Sequence, residues 1–295
     1  MIIMNDVLID EAIYNYKFIV MSSANIDECI SVAFEHQKEV FGLMFSRYKG
    51  FESNSFEFLR DMPWIRRLVF VDDFGDLSVV SNLNNLEFLQ VANPQNIDFS
   101  GLKNLKEYSG AWPSGNDSFY EASGLEVLSA RKGPNQKDLK FLCNLNGLRS
   151  LTVTQLSCES LEGIEGLNNL EELGIHYCRK LNDIDHVRGL KTLGSVHFQS
   201  CKKIKGFNAL STLKKLYQLN FEQCGELNNL EFLLELSNLK ALFFYGTAVA
   251  SNDLSPILSC RNLDKLGFNN KKFYSHTLKE LKSILDLDFQ GSLLN

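Results

Sequence analysis

Three cysteines recur at an equal spacing that would suit a metal site. Cys178, Cys201 and Cys224 are separated from one another by 23 residues each. Zinc sites favour paired ligands of the type C-x₂₋₄-C, and none of these three cysteines forms such a pair. Residues one repeat apart on parallel strands lie about 4.8 Å apart along one line, and a line does not converge on a tetrahedral centre. The spacing therefore favours a structural ladder over a metal site.

Two histidines lie in the same part of the chain. His176 and His197 occupy different positions relative to their neighbouring apolar residues, so they are not in register. A metal site built on them needs a third ligand, and no motif supports the two candidates, Glu172 and Glu222. We therefore expect both histidines to be ordinary surface residues.

Signatures of catalysis are missing from the sequence. It contains no G-x-S-x-G, no H-E-x-x-H, no Walker loop and no dinucleotide fingerprint. Gly163 and Gly166 belong to the connection between repeats and do not form a phosphate loop. We therefore expect no catalytic residue, no metal and no cofactor, and predict that the protein is not an enzyme.

The composition restricts the classes of partner and the cellular compartment that we expect for the protein. The 295 residues are 44% hydrophobic and 22% charged, with a net charge of −6. An acidic chain does not suit nucleic acid, and no apolar run approaches the roughly 20 residues of a membrane span. Early acids at Asp6, Asp10 and Glu11, without an apolar stretch, indicate no secretory signal. Seven cysteines, an odd number, favour free thiols. We expect a cytoplasmic protein, with signal-independent secretion left open.

The cysteines belong to a repeat that extends over most of the chain. Residues 170–178, 193–201 and 216–224 align without a gap as L-x-x-L-x-L-x-x-C, with aliphatic or aromatic residues at the L positions. Four apolar residues at steps of three follow each segment. Traced outward, the first apolar position of each unit recurs every 19 to 25 residues. These positions are Val40, Ile65, Leu86, Leu105, Leu125, Leu148, Leu170, Leu193, Leu216, Leu239 and Leu263.

Each part of this repeat pattern predicts an element of structure. Alternating apolar residues at the start of each unit predict a short strand with one buried face. Steps of three suit a tight helical or 3₁₀ return. One unit cannot bury its apolar face alone, so neighbours must stack around a continuous core.

The segment from about Val40 to Phe268 resembles the leucine-rich repeat family, in particular bacterial internalin-like and phosphatase-regulator-like repeats. It differs in carrying Cys at positions 178, 201 and 224, Thr at 247 and Asp at 73 where internalins have Asn, and its best units are one residue longer. The resemblance implies an α/β leucine-rich repeat solenoid, a right-handed curved stack of about eleven repeats. It places a parallel sheet on the concave face and short 3₁₀ or helical returns on the convex face. It also implies that the Cys side chains bond the backbone of the turn.

Two caps are expected at the ends of the repeats, in residues 1–39 and 271–295, with the repeats over 40–270 in a single structural domain. In the first cap, Tyr14, Tyr16, Phe18 and Val20 alternate, as do Ile30, Val32 and Phe34, which predicts strands joined by a turn. In the second, Thr277 and Glu280 have capping-box spacing and predict a short helix.

The concave sheet is the candidate binding surface. Residues between the inward leucines face outward there, and they include aromatic and arginine side chains of the types enriched in binding hot spots. The predicted partner-binding residues are Arg67, Phe88, Trp112, Arg131, Lys132, Glu172, Tyr177, His197, Gln199, Glu222, Phe243 and Tyr245. Two Pro/Gly-containing stretches, 112–117 and 132–136, predict projecting loops that form a lip beside this face.

These observations favour a protein-binding module that acts by sequestration or bridging, as an inhibitor, immunity or adaptor protein. A carbohydrate- or small-ligand-binding repeat protein is the first alternative, with Trp112, Tyr177 and Tyr245 as stacking platforms. An accessory subunit of an enzyme is the second.

Overall fold

A computed structural model describes residues 2–4, 7–13, 16–39 and 42–287. The chain divides into two compact units, Met1–Pro134 and Asn135–Asn295, which are described separately. Tyr14 and Val40, which the sequence placed in the first cap and the first repeat, lie outside the described residues. That the whole chain forms a single structural domain stays a prediction.

The first unit is built on one sheet. Strands β1 to β3 are antiparallel, and from β3 onward each strand pairs in parallel with the next. The antiparallel hairpin supplies a first strand against which the repeats begin to stack. The strands are β1 (Ile2–Met4), β2 (Val7–Ile13), β3 (Tyr16–Met21), β4 (Gly42–Phe45), β5 (Arg67–Phe70), β6 (Phe88–Val91), β7 (Glu107–Ala111) and β8 (Val127–Arg131).

The segment after β3 is a helix, so the prediction of strand for Ile30, Val32 and Phe34 is wrong. Helix α1 spans Ile26–Glu35. Its buried residues are Cys29, Val32 and Ala33, whose spacing of three and four follows a helical period. Two acids in the first turn also favour a helix, because they face its positive end. The alternation of β-branched and aromatic residues was therefore misleading.

The second unit is a parallel sheet with a short second sheet beside it. The main sheet has the order β9-β10-β11-β12-β14-β16, and β13 pairs with β15. The strands are β9 (Ser150–Thr154), β10 (Glu172–His176), β11 (Ser195–Gln199), β12 (Gln218–Glu222), β13 (Glu226–Leu227), β14 (Ala241–Phe243), β15 (Ala248–Val249) and β16 (Lys265–Gly267).

Short 3₁₀ segments connect the strands in both units, as the steps of three predicted. All the described first apolar positions of the repeats, from Ile65 to Leu263, are buried. This combination confirms the predicted leucine-rich repeat fold class. The 3₁₀ segments are Ser23–Asn25, Gln37–Glu39, Arg47–Lys49, Glu57–Asp61, Ser78–Asn82, Asp117–Glu121, Lys140–Leu142, Ile164–Gly166, Asp185–Gly189, Phe207–Thr212, Glu231–Glu235 and Ser255–Ser259.

The predicted terminal helix is confirmed. Helix α2 spans Leu278–Ile284 and buries Leu281. Its N-terminus has both halves of a capping box: the Thr277 hydroxyl accepts from the Glu280 amide at 3.2 Å, and the Glu280 carboxylate accepts from the Thr277 amide at 2.7 Å.

In six repeats the turn that ends the strand uses a left-handed residue at a fixed position. The seventh residue after the first apolar position has a positive φ in five repeats and is Gly246, also with positive φ, in a sixth. At this position the chain turns away from the sheet, and the side chains of these residues lie at the edge of the sheet. The five non-glycine residues are Lys132, Gln155, Tyr177, Ser200 and Gln223.

Candidate functional site

The side chains on the solvent side of strands β9 to β12 and β14 form a surface that we call the outer face. Along these strands the outer-face residues alternate with buried core residues, which gives a polar row and an apolar row. The outer face carries two carboxylates, two imidazoles, several amides and hydroxyls, and one aromatic ring, and no lysine or arginine on these five strands. Its members are Ser150, Thr152, Thr154, Glu172, Gly174, His176, Ser195, His197, Gln199, Gln218, Asn220, Glu222, Ala241 and Phe243.

The two histidines meet because a glycine separates them. Gly174 pairs directly with His197, and His176 pairs with Gln199, so the histidines are diagonal neighbours. Their ring centroids lie 4.7 Å apart in an edge-to-face arrangement. A Cβ atom added at Gly174 would lie 2.9 Å from Oγ1 of Thr152 and 3.3 Å from Nε2 of His176. The missing side chain therefore leaves space between Thr152 and the His176 ring.

An amide–carboxylate group lies beside the histidines. Glu222 accepts a hydrogen bond from Nδ2 of Asn220 at 3.1 Å and from Nε2 of Gln199 at 3.4 Å. Because a carboxylate only accepts, the amide nitrogen of Asn220 must point toward it, and its Oδ1 points away. Two neighbouring amides thus hold the Glu222 carboxylate in place on the outer face.

Three polar atoms of this group are buried and have no hydrogen-bond partner within the described chain. They are Nε2 of His176, Nε2 of His197 and Oδ1 of Asn220. Buried polar atoms without partners are rare in native proteins, because desolvation without a compensating bond costs about 1–3 kcal/mol each. These three lie on the adjacent strands β10, β11 and β12.

The imidazoles are held in their neutral form. Burial lowers the pKa of His176, and the neighbouring His197 lowers it further, against a smaller opposing effect of Glu222. Burial likewise lowers the pKa of His197. A neutral imidazole has a lone pair on one of its nitrogens, so both rings can accept a hydrogen bond near neutral pH.

An aromatic pair borders the group on the next strands. Phe243 pairs with Asn220 across adjacent strands, and its ring stacks on Tyr245 with centroids 6.3 Å apart. A Cβ atom at Gly267 would lie 2.2 Å from the Tyr245 hydroxyl, so only glycine lets the tyrosine ring lie there. Tyr245 is 40% exposed. The pair is a flat aromatic surface beside polar atoms.

The cysteines form a ladder that bonds the backbone, as predicted. Cys201 donates to the carbonyl of Ile175 on the preceding strand at 3.4 Å, and Cys224 donates to the carbonyl of Phe198 at 3.3 Å. Thr247 continues the series by donating to the carbonyl of Phe221 at 2.6 Å. Within the described ranges, no three His, Cys, Asp or Glu side chains are placed to hold a metal ion.

The thiols of Cys178 and Cys224 have raised pKa values and stay protonated, whereas hydrogen bonds with both of them lower the pKa of the Cys201 thiol between them. Hydrogen bonding to the Cys158 and Cys201 thiols, together with burial, raises the pKa of Cys178. Hydrogen bonding to Cys201 and burial raise the pKa of Cys224. Since the thiolate is the reactive form, the raised pKa values disfavour reactivity of Cys178 and Cys224.

Two predicted binding residues of the first unit are used by the fold itself. Phe88 is only 3% exposed and packs in a cluster with Phe18, Val20, Met44 and Val69. The prediction that Phe88 faces a partner is therefore wrong: on these first strands the solvent side of the sheet is covered by its own apolar side chains.

Arg67 lies at the margin of that cluster. Its guanidinium stands 4.0 Å from the centre of the Tyr16 ring, and the Tyr16 hydroxyl donates to Glu107 at 2.9 Å. The arginine is therefore engaged with the N-terminal hairpin.

Trp112 is also buried, at 4% exposure, so its assignment to the binding face is wrong as well. In its repeat the left-handed residue is Gly115, ten residues after the first apolar position, as Gly75 and Asn96 are in the two preceding repeats. The Trp112 side chain packs on Phe119 at 5.9 Å and donates from Nε1 to the Tyr120 hydroxyl at 3.3 Å.

Arg131 and Lys132 are exposed and border a cleft of about 770 Å³ in the first unit. The predicted loop 112–117 and residues 92–96 supply most of the remaining lining. The cleft is polar, with Asp73 held by the Asn93 amide at 2.9 Å. That hydrogen bond and one from the Gly75 amide lower the pKa of Asp73.

The remaining predicted residues lie in the second unit. His197, Gln199, Glu222 and Phe243 are on the outer face, half-buried, and Glu172 is exposed there and accepts from the Ser150 hydroxyl at 3.1 Å. Tyr177 is 45% exposed but occupies the left-handed turn position, so it lies at the edge of the sheet. Whether these residues contact a partner stays a prediction.

His176 and Gly174 are the members of the site that sequence reasoning missed. The sequence pattern predicts an ordinary surface residue at His176, because it is out of register with His197. The signal that identifies them is the glycine at an outer-face position between two histidines, since removal of one side chain lets diagonal neighbours touch.

Comparisons with known proteins agree with this architecture. Residues 154–274 match the family model of the BspA type leucine-rich repeat region, in six copies. An internalin (inlF) of Listeria monocytogenes is similar in structure, with a TM-score of 0.58 and 17% identity over 92% of this chain and 85% of that one. A leucine-rich repeat protein of Leptospira interrogans has a TM-score of 0.55 and 18% identity over 78% of this chain and 59% of that one. No curated protein matches the sequence.

The fold and the repeat pattern together define the class: the chain has a leucine-rich repeat fold, and residues 154–274 match a leucine-rich repeat family model. Its repeats are internalin-like in fold. The Cys–Thr ladder occupies the repeat position at which the resemblance to internalins predicts Asn. Among the described residues no helix is both long enough and apolar enough to cross a membrane.

Proposed function

We propose that this protein is a non-enzymatic protein-binding module and that the outer face of the second unit is its binding surface. The observation that carries the proposal is the aromatic pair of Phe243 and Tyr245, which lies beside the polar side chains of the outer face and in which Tyr245 is 40% exposed.

The aromatic pair and its surroundings have the composition of a protein interface. Phe243 and Tyr245 provide an aromatic patch, the residue type most enriched in binding hot spots, and the polar group lies directly beside it. The surface is also preformed on a hydrogen-bonded sheet, so little conformational entropy is lost on binding. Leucine-rich repeat folds commonly mediate protein–protein binding through extended surfaces of this kind.

We further propose that the protein acts by sequestering or bridging its partner, as an inhibitor, an immunity protein or an adaptor does. In that role the protein covers a functional surface of its partner, most simply inside a bacterial cytoplasm. The assignment to that compartment rests on the sequence.

A partner capture tests the proposal. Tagged wild-type protein and the Phe243→Ala/Tyr245→Ala variant are used to recover proteins from a lysate of the source cell. Phe273→Ala is the matched control, because Phe273 is 61% exposed and lies outside the outer face. We expect one stoichiometric protein with the wild type and the control, and its loss with the double variant. Equal recovery by all three would rule out the outer face.

A small-ligand function has one observation in its favour, the polar cleft of the first unit beside Arg131 and Lys132. Its volume of about 770 Å³ is in the range of small-molecule sites. Recovery of no protein partner, together with a saccharide that protects the Lys132 amide from hydrogen exchange, would favour this alternative.

A further inference from the structure

A group of exposed cations lies on the second unit after the turns that end strands β10 and β11. Arg179 and Lys180 occupy the ninth and tenth positions after the first apolar residue of their repeat, and Lys202 and Lys203 occupy the same positions in the next repeat. Lys205 follows two residues later, and all five side chains are exposed. Within the described ranges none of the five forms an ion pair. We call these residues the basic cluster.

Elsewhere in the second unit the fold places opposite charges on adjacent repeats. Lys140 pairs with Glu162 at 2.6 Å, and Lys214 pairs with Glu235 at 2.7 Å. In the basic cluster the adjacent repeat, whose strand lies about 4.8 Å away, supplies further cations instead of acids. Like charges repel one another at such distances, and an anion bound among them relieves the repulsion. The basic cluster therefore favours an anionic ligand.

The acids between the two halves of the basic cluster are engaged elsewhere. Asp183 accepts from the Asp185 amide at 2.9 Å and from the Ser160 hydroxyl at 3.4 Å. Asp185 forms an ion pair with Arg188 at 3.5 Å. Among the described residues neither carboxylate forms an ion pair with the basic cluster, so the charge of the cluster is largely uncompensated.

Three lysines of the basic cluster line a cleft of about 810 Å³, which we call the basic cleft. They are Lys202, Lys203 and Lys205. The lining also includes the carboxamides of Asn208 and Asn228, which are exposed and make no side-chain hydrogen bond within the described part of the chain. A carboxamide both donates and accepts, so it matches the hydroxyl groups of a polyol. The basic cleft thus combines cations with groups that bind hydroxyls.

The backbone holds the basic cleft in a fixed shape. The Lys205 amide donates to the Asn182 carbonyl of the preceding repeat at 2.9 Å. On the other side, a Cβ atom at Gly225 would lie 2.5 Å from the Lys202 carbonyl oxygen, so only glycine lets the next repeat approach this closely. A cleft that is formed before binding loses little conformational entropy when a ligand enters.

The size and the charges of the basic cleft indicate the class of ligand. Its volume is in the range of small-molecule sites. Lysine ammonium groups are compact charges that bind phosphate, and a phosphate group carries about −1.5 to −2 charges near neutral pH. Glu226 is the single acid among the described lining residues, so the three lysines outnumber it.

We propose that the basic cleft binds a small phosphorylated polyol, such as a sugar phosphate. Its three lysines contact the phosphate groups, and Asn208 and Asn228 contact the hydroxyl groups. The site shares no residue with the outer face, so the proposal is independent of the protein-binding function and adds a second ligand. The net charge of −6 of the chain does not oppose it, because the field of a local group of cations dominates at short range.

Isothermal titration calorimetry of the full chain with fructose 1,6-bisphosphate tests the proposal. We expect a Kd on the order of 0.1 mM at low ionic strength, as for a polar ligand of this size. Inorganic phosphate has the charge without the hydroxyl groups, and fructose has the hydroxyl groups without the charge, so both should bind at least about tenfold more weakly. No binding of the bisphosphate, or inorganic phosphate or fructose binding as tightly as the bisphosphate, would overturn the proposal.

Variants locate the binding. Lys202→Gln/Lys203→Gln should weaken the bisphosphate by at least about tenfold, because two charge-assisted contacts are lost. Lys272→Gln/Lys279→Gln is the matched control: it removes the same charge from exposed positions near the C-terminal helix and should change the Kd by less than about twofold. Glu226→Gln removes the acid of the lining and should strengthen binding by about threefold. Equal Kd values in the two lysine variants, or weaker binding by Glu226→Gln, would show that the basic cleft is not the site.

Discussion

At the buried residue Thr247, replacement of the hydroxyl group by a methyl group should lower the free energy of unfolding by a large and calculable amount. Its hydroxyl donates to the Phe221 carbonyl at 2.6 Å and accepts from the Cys224 amide at 3.0 Å, and both of those residues are fully buried. Thr247→Val keeps the shape and removes both bonds. It leaves one buried carbonyl and one buried amide unpaired between adjacent repeats.

The expected cost follows from those two groups. A buried polar group left without a partner costs about 1–3 kcal/mol, and the added methyl group offsets about 0.8 kcal/mol, so the variant should lose about 3 kcal/mol. For a unit of this size that corresponds to a fall in Tm of roughly 6–12 °C.

Urea and thermal denaturation followed by circular dichroism measure the effect. Thr247→Ser retains the hydroxyl and loses one methyl group, so it should cost only about 1 kcal/mol. Thr154→Val, at a half-buried outer-face position, should change stability by less than about 0.5 kcal/mol. If the valine and serine variants at 247 were equally stable, the hydrogen bonds between repeats would not be the source of the stabilisation, and the reasoning would be refuted.

Two further predictions concern backbone conformation and pH. Gly110→Ala should lower the free energy of unfolding by about 3 kcal/mol or more, because a Cβ there would lie 1.9 Å from the Val91 carbonyl oxygen. Gly115→Ala, at φ +75 with nothing within 4 Å of the added Cβ, should cost only about 1 kcal/mol. Similar Tm values for the two variants would contradict this prediction. Because the folded pKa values of His176 and His197 are lowered, the unfolded chain takes up their protons first, so stability should fall as pH drops below about 6.5. The His176→Gln/His197→Gln variant should lose less stability between pH 7 and 5, and an unchanged pH profile would show that burial does not disfavour their charge.

The repeat positions could be predicted because each apolar residue must face the same continuous core. A regular spacing of leucines fixes which side of each strand is buried, and the ladder of Cys201, Cys224 and Thr247 follows from that register. For the same reason the predicted binding residues on strands β11, β12 and β14, such as His197 and Glu222, lie on the outer face, and their contact with a partner stays a prediction.

The predictions from the sequence are wrong where the local backbone conformation or the size of one side chain determines the structure. Trp112 is buried in a repeat whose left-handed residue, Gly115, lies three positions later than in the repeats from Leu125 to Leu239, a shift that the repeat template does not encode. Ile30 and Phe34 alternate as in a strand, yet the buried set of the segment is helical. The contact between His176 and His197 depends on the empty space above Gly174, since register alone places the two side chains diagonally.

The equal length of successive repeats in the second unit has a consequence for how such a chain changes in evolution. The units that carry Cys178, Cys201 and Cys224 each contribute 23 residues, and the last two offer the same thiol-to-carbonyl bond to the preceding strand. Excision of one whole unit therefore brings together two surfaces that already complement each other, whereas loss of a single residue shifts every later side chain out of phase. The length of the binding surface can thus be changed one repeat at a time, by duplication or deletion, while the core chemistry at each junction stays the same.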